Sequence, residues 1–228
     1  MPRGYGDDVF VKICGITNED DALLAVALGA DAVGFVFAPS PRRMVAQKVH
    51  EIVRRLPPEV LTVGVFRDEL PDRVVEVVHA AGLKAAQLHG HARPADVAAV
   101  ARNVRVVIKS VVAGSVDAAR ADEFGTPLVL LDAPAPGSGR VFDWRLAGEV
   151  PGGVNVILAG GLSPENVASG IEMVDPWGVD VASGVEASPG RKDPVLMRRF
   201  IEAARSAPSA RTGRDGADGR VPYDWMDE

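Results

Sequence analysis

Val9-Phe10-Val11-Lys12-Ile13-Cys14-Gly15-Ile16-Thr17-Asn18 is the stretch on which the fold turns. Val and Ile alternate with Lys and Cys, as in a strand, and the chain then passes through Gly15 into an amphipathic segment opening at Asn18. A strand running into a helix is the unit of a buried parallel sheet, which is either open and doubly wound or closed as a barrel. The doubly wound dinucleotide fold requires G-x-G-x-x-G after this first strand, and Cys14-Gly15-Ile16-Thr17 does not supply it.

Outward from that unit the same pattern recurs eight times. The strand segments are Val9–Cys14, Asp31–Phe37, Val60–Phe66, Lys84–His89, Val104–Ser110, Pro127–Asp132, Val154–Ala159 and Gly178–Ala182. The helical segments are Asn18–Leu28, Ala46–Leu56, Pro71–Ala81, Pro94–Ala101, Ser115–Phe124, Asp143–Glu149, Pro164–Ile171 and Asp193–Ser206. Proline near the first turn at Pro71, Pro164 and Pro194 gives start signals, and Gly29, Gly82 and Gly125 give stops. Eight units of about 25 residues favour a single-domain (β/α)8 barrel over residues 9–206. A polar extension precedes it (1–8). The tail at 207–228 is rich in Gly, Ser, Pro, Arg and Asp and reads as disordered, with a docking peptide at Val221–Met226 as the alternative.

Composition removes several function classes. The 228 residues carry a net charge of −6, the wrong sign for a nucleic-acid partner. No apolar stretch reaches membrane-spanning length, and the N-terminus has no signal-peptide core, so the expectation is a cytoplasmic protein with no membrane partner. The single cysteine, Cys14, cannot form an intrachain disulfide. No His/Cys/Asp set has metal-ligand spacing and no G-x-S-x-G elbow is present.

In a barrel, polar residues at the C-terminal ends of strands face the active site. Strand periodicity groups Phe10, Lys12 and Cys14, then Ala85, Gln87 and His89, then Leu128, Leu130 and Asp132. If these faces point inward, a thiol, an ammonium, an amide, an imidazole and a carboxylate converge at one mouth. Taken singly, Cys14 is equally a small buried hydrophobe and Asp132 a turn cap. The helix N-terminus behind Cys14 is expected to lower its pKa. Gly160-Gly161 after the seventh strand and Ser183-Gly184 after the eighth let backbone N–H groups approach an anion, the phosphate-site pattern of this fold, against a reading as tight turns only. Arg43, past the second strand, is either a carboxylate clamp or a solvated loop residue.

Together these residues resemble the phosphoribosylanthranilate isomerase family of tryptophan biosynthesis, across about Val11 to Ala204. The resemblance is carried by Lys12-Ile13-Cys14-Gly15-Ile16-Thr17, Gly34-Phe35-Val36-Phe37, Gln87-Leu88-His89-Gly90, Leu131-Asp132, Gly160-Gly161-Leu162 and Val179-Asp180-Val181 through Ser183-Gly184-Val185-Glu186. It implies a (β/α)8 barrel performing an Amadori rearrangement of a phosphosugar without a cofactor. Asp132 matches the general acid and Cys14 the general base. Arg43 matches the residue at the anthranilate carboxylate, and Gly160, Gly161, Ser183 and Gly184 the phosphate site. Lys12, Gln87, His89 and Asp180 are expected to line the substrate, in a monomer or homodimer. The loop at Pro136-Gly137-Ser138-Gly139 is shorter than the family's. A related phosphosugar isomerase and a noncatalytic phosphate binder are the competing readings.

Overall fold

The computed structural model describes residues 9–134 and 142–208. The expectations for the extension at 1–8, for the loop at Pro136–Gly139 and for the tail from 209 on, Val221–Met226 included, lie outside them.

Eight parallel strands close on themselves in chain order, the last pairing with the first. They are β1 (Phe10–Cys14), β2 (Ala32–Val36), β3 (Leu61–Arg67), β4 (Ala85–His89), β5 (Val106–Val112), β6 (Leu128–Asp132), β7 (Asn155–Leu158) and β8 (Gly178–Val181). Helices α1 (Glu19–Ala27), α2 (Ala46–Val53), α3 (Pro71–Ala81), α4 (Pro94–Ala101), α5 (Val116–Ala119), α6 (Val167–Val174) and α7 (Pro194–Ser206) alternate with them. Val-rich strands form this sheet because both faces are buried: one packs on the helices and the other fills the barrel. Phe10, Val63, Ile108, Leu130 and Ile157 belong to the interior layer, closed at the N-terminal end by Phe10 stacked on Trp177 at 4.5 Å. Val11, Ile13, Phe35, Val107 and Leu131 alternate with them and face the helices.

The helix boundaries follow the capping chemistry. Gly82 closes α3 in the left-handed conformation, φ +67°, and Asp193 caps α7 through the Val195 and Leu196 N–H groups. At the N-terminal face, Arg205 of α7 donates to the Val9 and Gly29 carbonyls and to Asp31, which accepts from Val11 N–H. That clasp joins the last helix to the first strand.

The helical reading needs correction in three places. Ser115–Phe124 is not one helix: Arg120 leaves the helical region (φ −123°, ψ 28°), dividing it into α5 and a 3₁₀ turn at Ala121–Phe124. Asp143–Glu149 forms only a 3₁₀ helix, Trp144–Glu149, because Pro151 forces Val150 into extended backbone before a longer helix can build. α6 begins at Val167 rather than Pro164, because the Asn166 carboxamide accepts from Ser163 N–H and donates to the Gly161 carbonyl, holding 163–166 as a turn. Beyond β8 the chain forms an unanticipated antiparallel hairpin, β9 (Glu186–Ser188) with β10 (Arg191–Lys192).

Candidate active site

The inward parity expected from the sequence holds at the mouth. Lys12, next after Phe10 on the interior face, is fully buried, and its Nζ donates to Asp180 Oδ1 at 2.8 Å across the β1–β8 pair. Cys14, at the end of β1, lies opposite Gly34 of β2 and is 6% exposed. Gln87 and His89 come inward from β4, with Gln87 Nε2 donating to His89 Nε2 at 2.6 Å. Ser110 of β5, missed by the sequence reading, lies 3.2 Å from the same imidazole nitrogen. Asp132 ends β6, where its Oδ1 accepts from Ala133 N–H at 2.8 Å. Gln87 Oε1 is buried and unpartnered among the described residues, a free acceptor in the barrel.

Burial sets the charges of this site. It pushes the Asp132 carboxyl up to about 6; the Ala133 N–H and Lys12 oppose it, whereas Asp180 reinforces it. It pushes His89 down to about 3, helped by Lys12, Lys109 and Arg67, so the imidazole is neutral. Burial would also lower Lys12, but Asp180 and Cys14 outweigh it and raise the ammonium's pKa. Cys14 departs from expectation: desolvation raises its thiol, with Asp180 reinforcing and Lys12 and Lys192 opposing. The α1 N-terminus does not rescue it, because Asn18 already caps it through Asp21 N–H and its first turn carries Glu19, Asp20 and Asp21.

The two adjacent arginines take different roles. Arg42 is half-buried and forms a bidentate pair with Glu186, at 2.7 and 2.6 Å. Glu186 also accepts from Lys192 Nζ at 3.1 Å, and that ammonium donates to the Ala182 carbonyl. Arg43 is solvent-exposed and joins β2 through a backbone bridge to Val36. Nothing local in the sequence separates the two, since Glu186 is remote in the chain.

The glycine turns are close-packed. Gly160 has φ +79°, and a Cβ on it would lie 2.5 Å from Ala133 N, the group that holds Asp132. A Cβ on Gly184 would lie 1.9 Å from the Leu162 carbonyl oxygen. Gly161 also has φ +74°. These turns therefore pack against each other and against β6, the strand of Asp132, with their backbones at the mouth. Ser183 opens a short 3₁₀ turn, Ser183–Val185, instead of a full helix. Among the described residues no group of three or more His, Cys, Asp or Glu side chains is placed to hold a metal ion.

Comparison with known proteins agrees with this arrangement. Residues 11–203 match the family model described as N-(5'phosphoribosyl)anthranilate (PRA) isomerase. An N-(5'-phosphoribosyl)anthranilate isomerase of Desulforudis audaxviator is 49% identical over 205 residues, covering 86% of this chain and 98% of the relative. A crystal structure of the phosphoribosyl anthranilate isomerase from Thermus thermophilus superposes with a TM-score of 0.81 at 40% identity, covering 86% of this chain and 98% of that one. A further structure of such an enzyme, in complex with reduced 1-(o-carboxyphenylamino)-1-deoxyribulose 5-phosphate, has a TM-score of 0.76 at 41% identity over the same shares of the two chains. With the matched span covering nearly the whole barrel and all eight strands, this chain belongs to the N-(5'-phosphoribosyl)anthranilate isomerase family.

Proposed function

We propose that residues 9–206 catalyse the isomerisation of N-(5'-phosphoribosyl)anthranilate to 1-(o-carboxyphenylamino)-1-deoxyribulose 5-phosphate, a step of tryptophan biosynthesis, with Asp132 as general acid and Cys14 as general base. Protonated Asp132 gives its proton to the furanose ring oxygen, opening the ring to a Schiff base. The Cys14 thiolate takes the proton from the neighbouring sugar carbon, and the C–H electron pair becomes the enolamine double bond, which tautomerises to the ketone. Acid and base serve different atoms of one sugar and must come from separate strands, as β6 and β1 provide. One observation carries this reading: the same mouth holds a carboxyl lifted to about 6 and a buried thiol beside a buried ammonium.

Around that pair, Arg43 at the rim receives the anthranilate carboxylate. The backbones of Gly160, Gly161, Ser183 and Gly184 receive the phosphate. Gln87 Oε1 offers an acceptor to a sugar hydroxyl, and neutral His89, whose Nε2 accepts from Gln87, offers its Nδ1–H as a donor, with Asp180 holding Lys12 beside them. The reducing cytoplasm, where thiols stay free, suits the lone Cys14.

The acid's pKa lies below the base's, so the competent form, Asp132 protonated and Cys14 ionised, is a minor species at every pH. The bell-shaped profile of kcat/KM then has an acid limb near 6, set by Asp132, and an alkaline limb set by Cys14. The test follows the loss of anthranilate fluorescence from freshly made substrate. Fast decay with wild-type protein, collapsing in Cys14→Ala and Asp132→Asn, is expected. Decay at the spontaneous rate with folded wild-type protein overturns the assignment.

A further inference from the structure

Gly34 lies inside β2, where a glycine weakens a strand by leaving nothing to pack. Its φ is not positive, so conformation does not demand glycine. Space does. A Cβ there would meet Cys14 Sγ at 2.9 Å, Lys12 Nζ at 3.2 Å and Cys14 Cα at 3.3 Å. Thiol and ammonium thus converge on the volume that a side chain at 34 would fill, where the charge of each acts on the other. Lys12 Nζ is anchored from the other side by Asp180 at 2.8 Å, with no exposed surface. An ammonium has three donors and no acceptor, so one can hold the carboxylate while another meets the sulfur.

We propose that Lys12 and Gly34 are positioning residues for the Cys14 thiol: Gly34 leaves the space in which thiol and ammonium meet, and Lys12, anchored by Asp180, is the cation against which the thiolate forms. The inference rests on the isomerase reading, in which that thiolate takes a proton from the sugar. It replaces both the helix N-terminus as the activating element and Lys12 as a direct ligand of the substrate. The other charged groups facing the sulfur are Asp180 of β8, Lys192 of β10 and Arg42 from the loop after β2. Lys192 and Arg42 are both engaged with Glu186, and Lys12 is the cation that acts most strongly on the thiol.

Because Cys14 is the sole cysteine, ultraviolet thiolate absorbance referenced to the Cys14→Ala protein titrates this one group. In full-length Lys12→Met the thiolate titration is expected to move up by about one unit or more, tenfold in the ionisation constant. The alkaline limb of kcat/KM should move with it. The plateau should fall by up to the same factor, less what the stronger base regains, while KM changes little. A merely structural role would not tie the plateau to the limb. Lys12→Met/Asp180→Asn leaves no unpaired buried charge and carries the same titration test if the single variant fails to fold. Gly34→Ala, with Lys12 intact, should shift the titration the same way by wedging sulfur from ammonium.

A thiolate titration unmoved in both Lys12 variants overturns the role of Lys12, as does a raised KM with kcat and titration unchanged, which would make Lys12 a substrate ligand. An unmoved titration in Gly34→Ala overturns the role of Gly34. A titration shifted in the Lys12 variants, beside a wild-type protein without isomerase turnover, would instead sink the isomerase reading and leave the effect of the ammonium on the thiol standing.

Discussion

Lys12 and Lys109 are both lysines with no exposed surface, and they sit on opposite faces of one sheet. Lys12 points into the barrel, with Asp180 Oδ1 at 2.8 Å and Cys14 beside it. Lys109, on the outward face of β5, donates to the Gly90 carbonyl at 3.0 Å and lies 5.1 Å from the Phe124 ring centroid. Burial pulls both down in pKa. Only Lys12 has a carboxylate in contact, and its pKa ends raised, whereas that of Lys109 ends lowered despite Asp117 and Asp68 nearby. Neither has exposed surface, and the partners differ. A buried charge beside an opposite charge and a nucleophilic atom belongs to chemistry, whereas one held by a carbonyl and a ring belongs to packing between layers.

The sharpest way to break that comparison is to remove the two groups that the barrel interior is built to hold. Cys14→Ala and Asp132→Asn should each lower kcat/KM by about 10²- to 10⁴-fold, and Asp132→Asn should also remove the acid limb near 6. Neither should unfold the chain. Because burial raises Asp132 in the folded state, its ionisation costs stability as pH rises from about 4 through 6, so Asp132→Asn should be more heat-stable than wild type at neutral pH. Melting curves and steady-state kinetics on the same samples check both halves, and an Asp132→Asn enzyme of normal kcat/KM would place the acid elsewhere.

Next in size is the loss of the Lys12 ammonium. Lys12→Met strands Asp180, 8% exposed, without its ion-pair partner and should cost about 3–5 kcal/mol in a denaturant titration. Lys12→Met/Asp180→Asn should recover most of that loss. Failure to recover would mean that the ammonium, and not the stranded carboxylate, carries the energy.

The barrel was legible because each unit repeats a β-branched run and a capped amphipathic run, patterns that buried strands and covering helices impose. The inner faces of β1, β4 and β6 follow from period two alone, which puts Lys12, Cys14, Gln87, His89 and Asp132 inward from sequence. What escaped was set by remote partners. Arg42 and Arg43 are neighbours of one type, and Glu186, 144 residues on, decides which of them is engaged. The thiol's charge also escaped, because burial and Lys12 govern it while local sequence pointed to a helix end. Gly34 did leave a signal: a glycine inside a strand run marks a close approach. The 3₁₀ turns replacing two helices reflect spans too short to hold several turns once Arg120 or Pro151 interrupts them.

A smaller effect separates the two rims of the mouth. Gly184→Ala must move the Leu162 carbonyl, since the new Cβ would start 1.9 Å from its oxygen, and this displaces together both turns proposed to receive the phosphate. KM should rise about tenfold or more with kcat reduced less, because the proposed acid and base, Asp132 and Cys14, lie on other strands. Inorganic phosphate as a competitive inhibitor should weaken in parallel. An unchanged inhibition constant for phosphate would move the anion site away from these turns.

The smallest expected effect tests the other lysine. Lys109→Met loses one hydrogen bond to Gly90 and a ring contact but gains relief from a buried charge, so its net stability change at neutral pH should stay within about 1 kcal/mol, with kcat/KM unchanged. The sign with pH is diagnostic. A lysine lowered in the folded state holds fewer protons there than in the unfolded chain, so the Lys109 contribution rises with pH between its folded pKa and about 10.4. Lys109→Met should therefore show a shallower rise of stability over that window than wild type. The slope should not vanish, because burial also lowers Lys84 and Lys192. Lys12, raised in the folded state, contributes with the opposite sign: its stabilisation is complete below about 10.4 and is lost as pH climbs through its folded pKa. Denaturant midpoints for the two methionine variants across alkaline pH should thus bend in opposite directions relative to wild type. Parallel curves would mean that the two faces of the sheet do not treat their buried lysines differently.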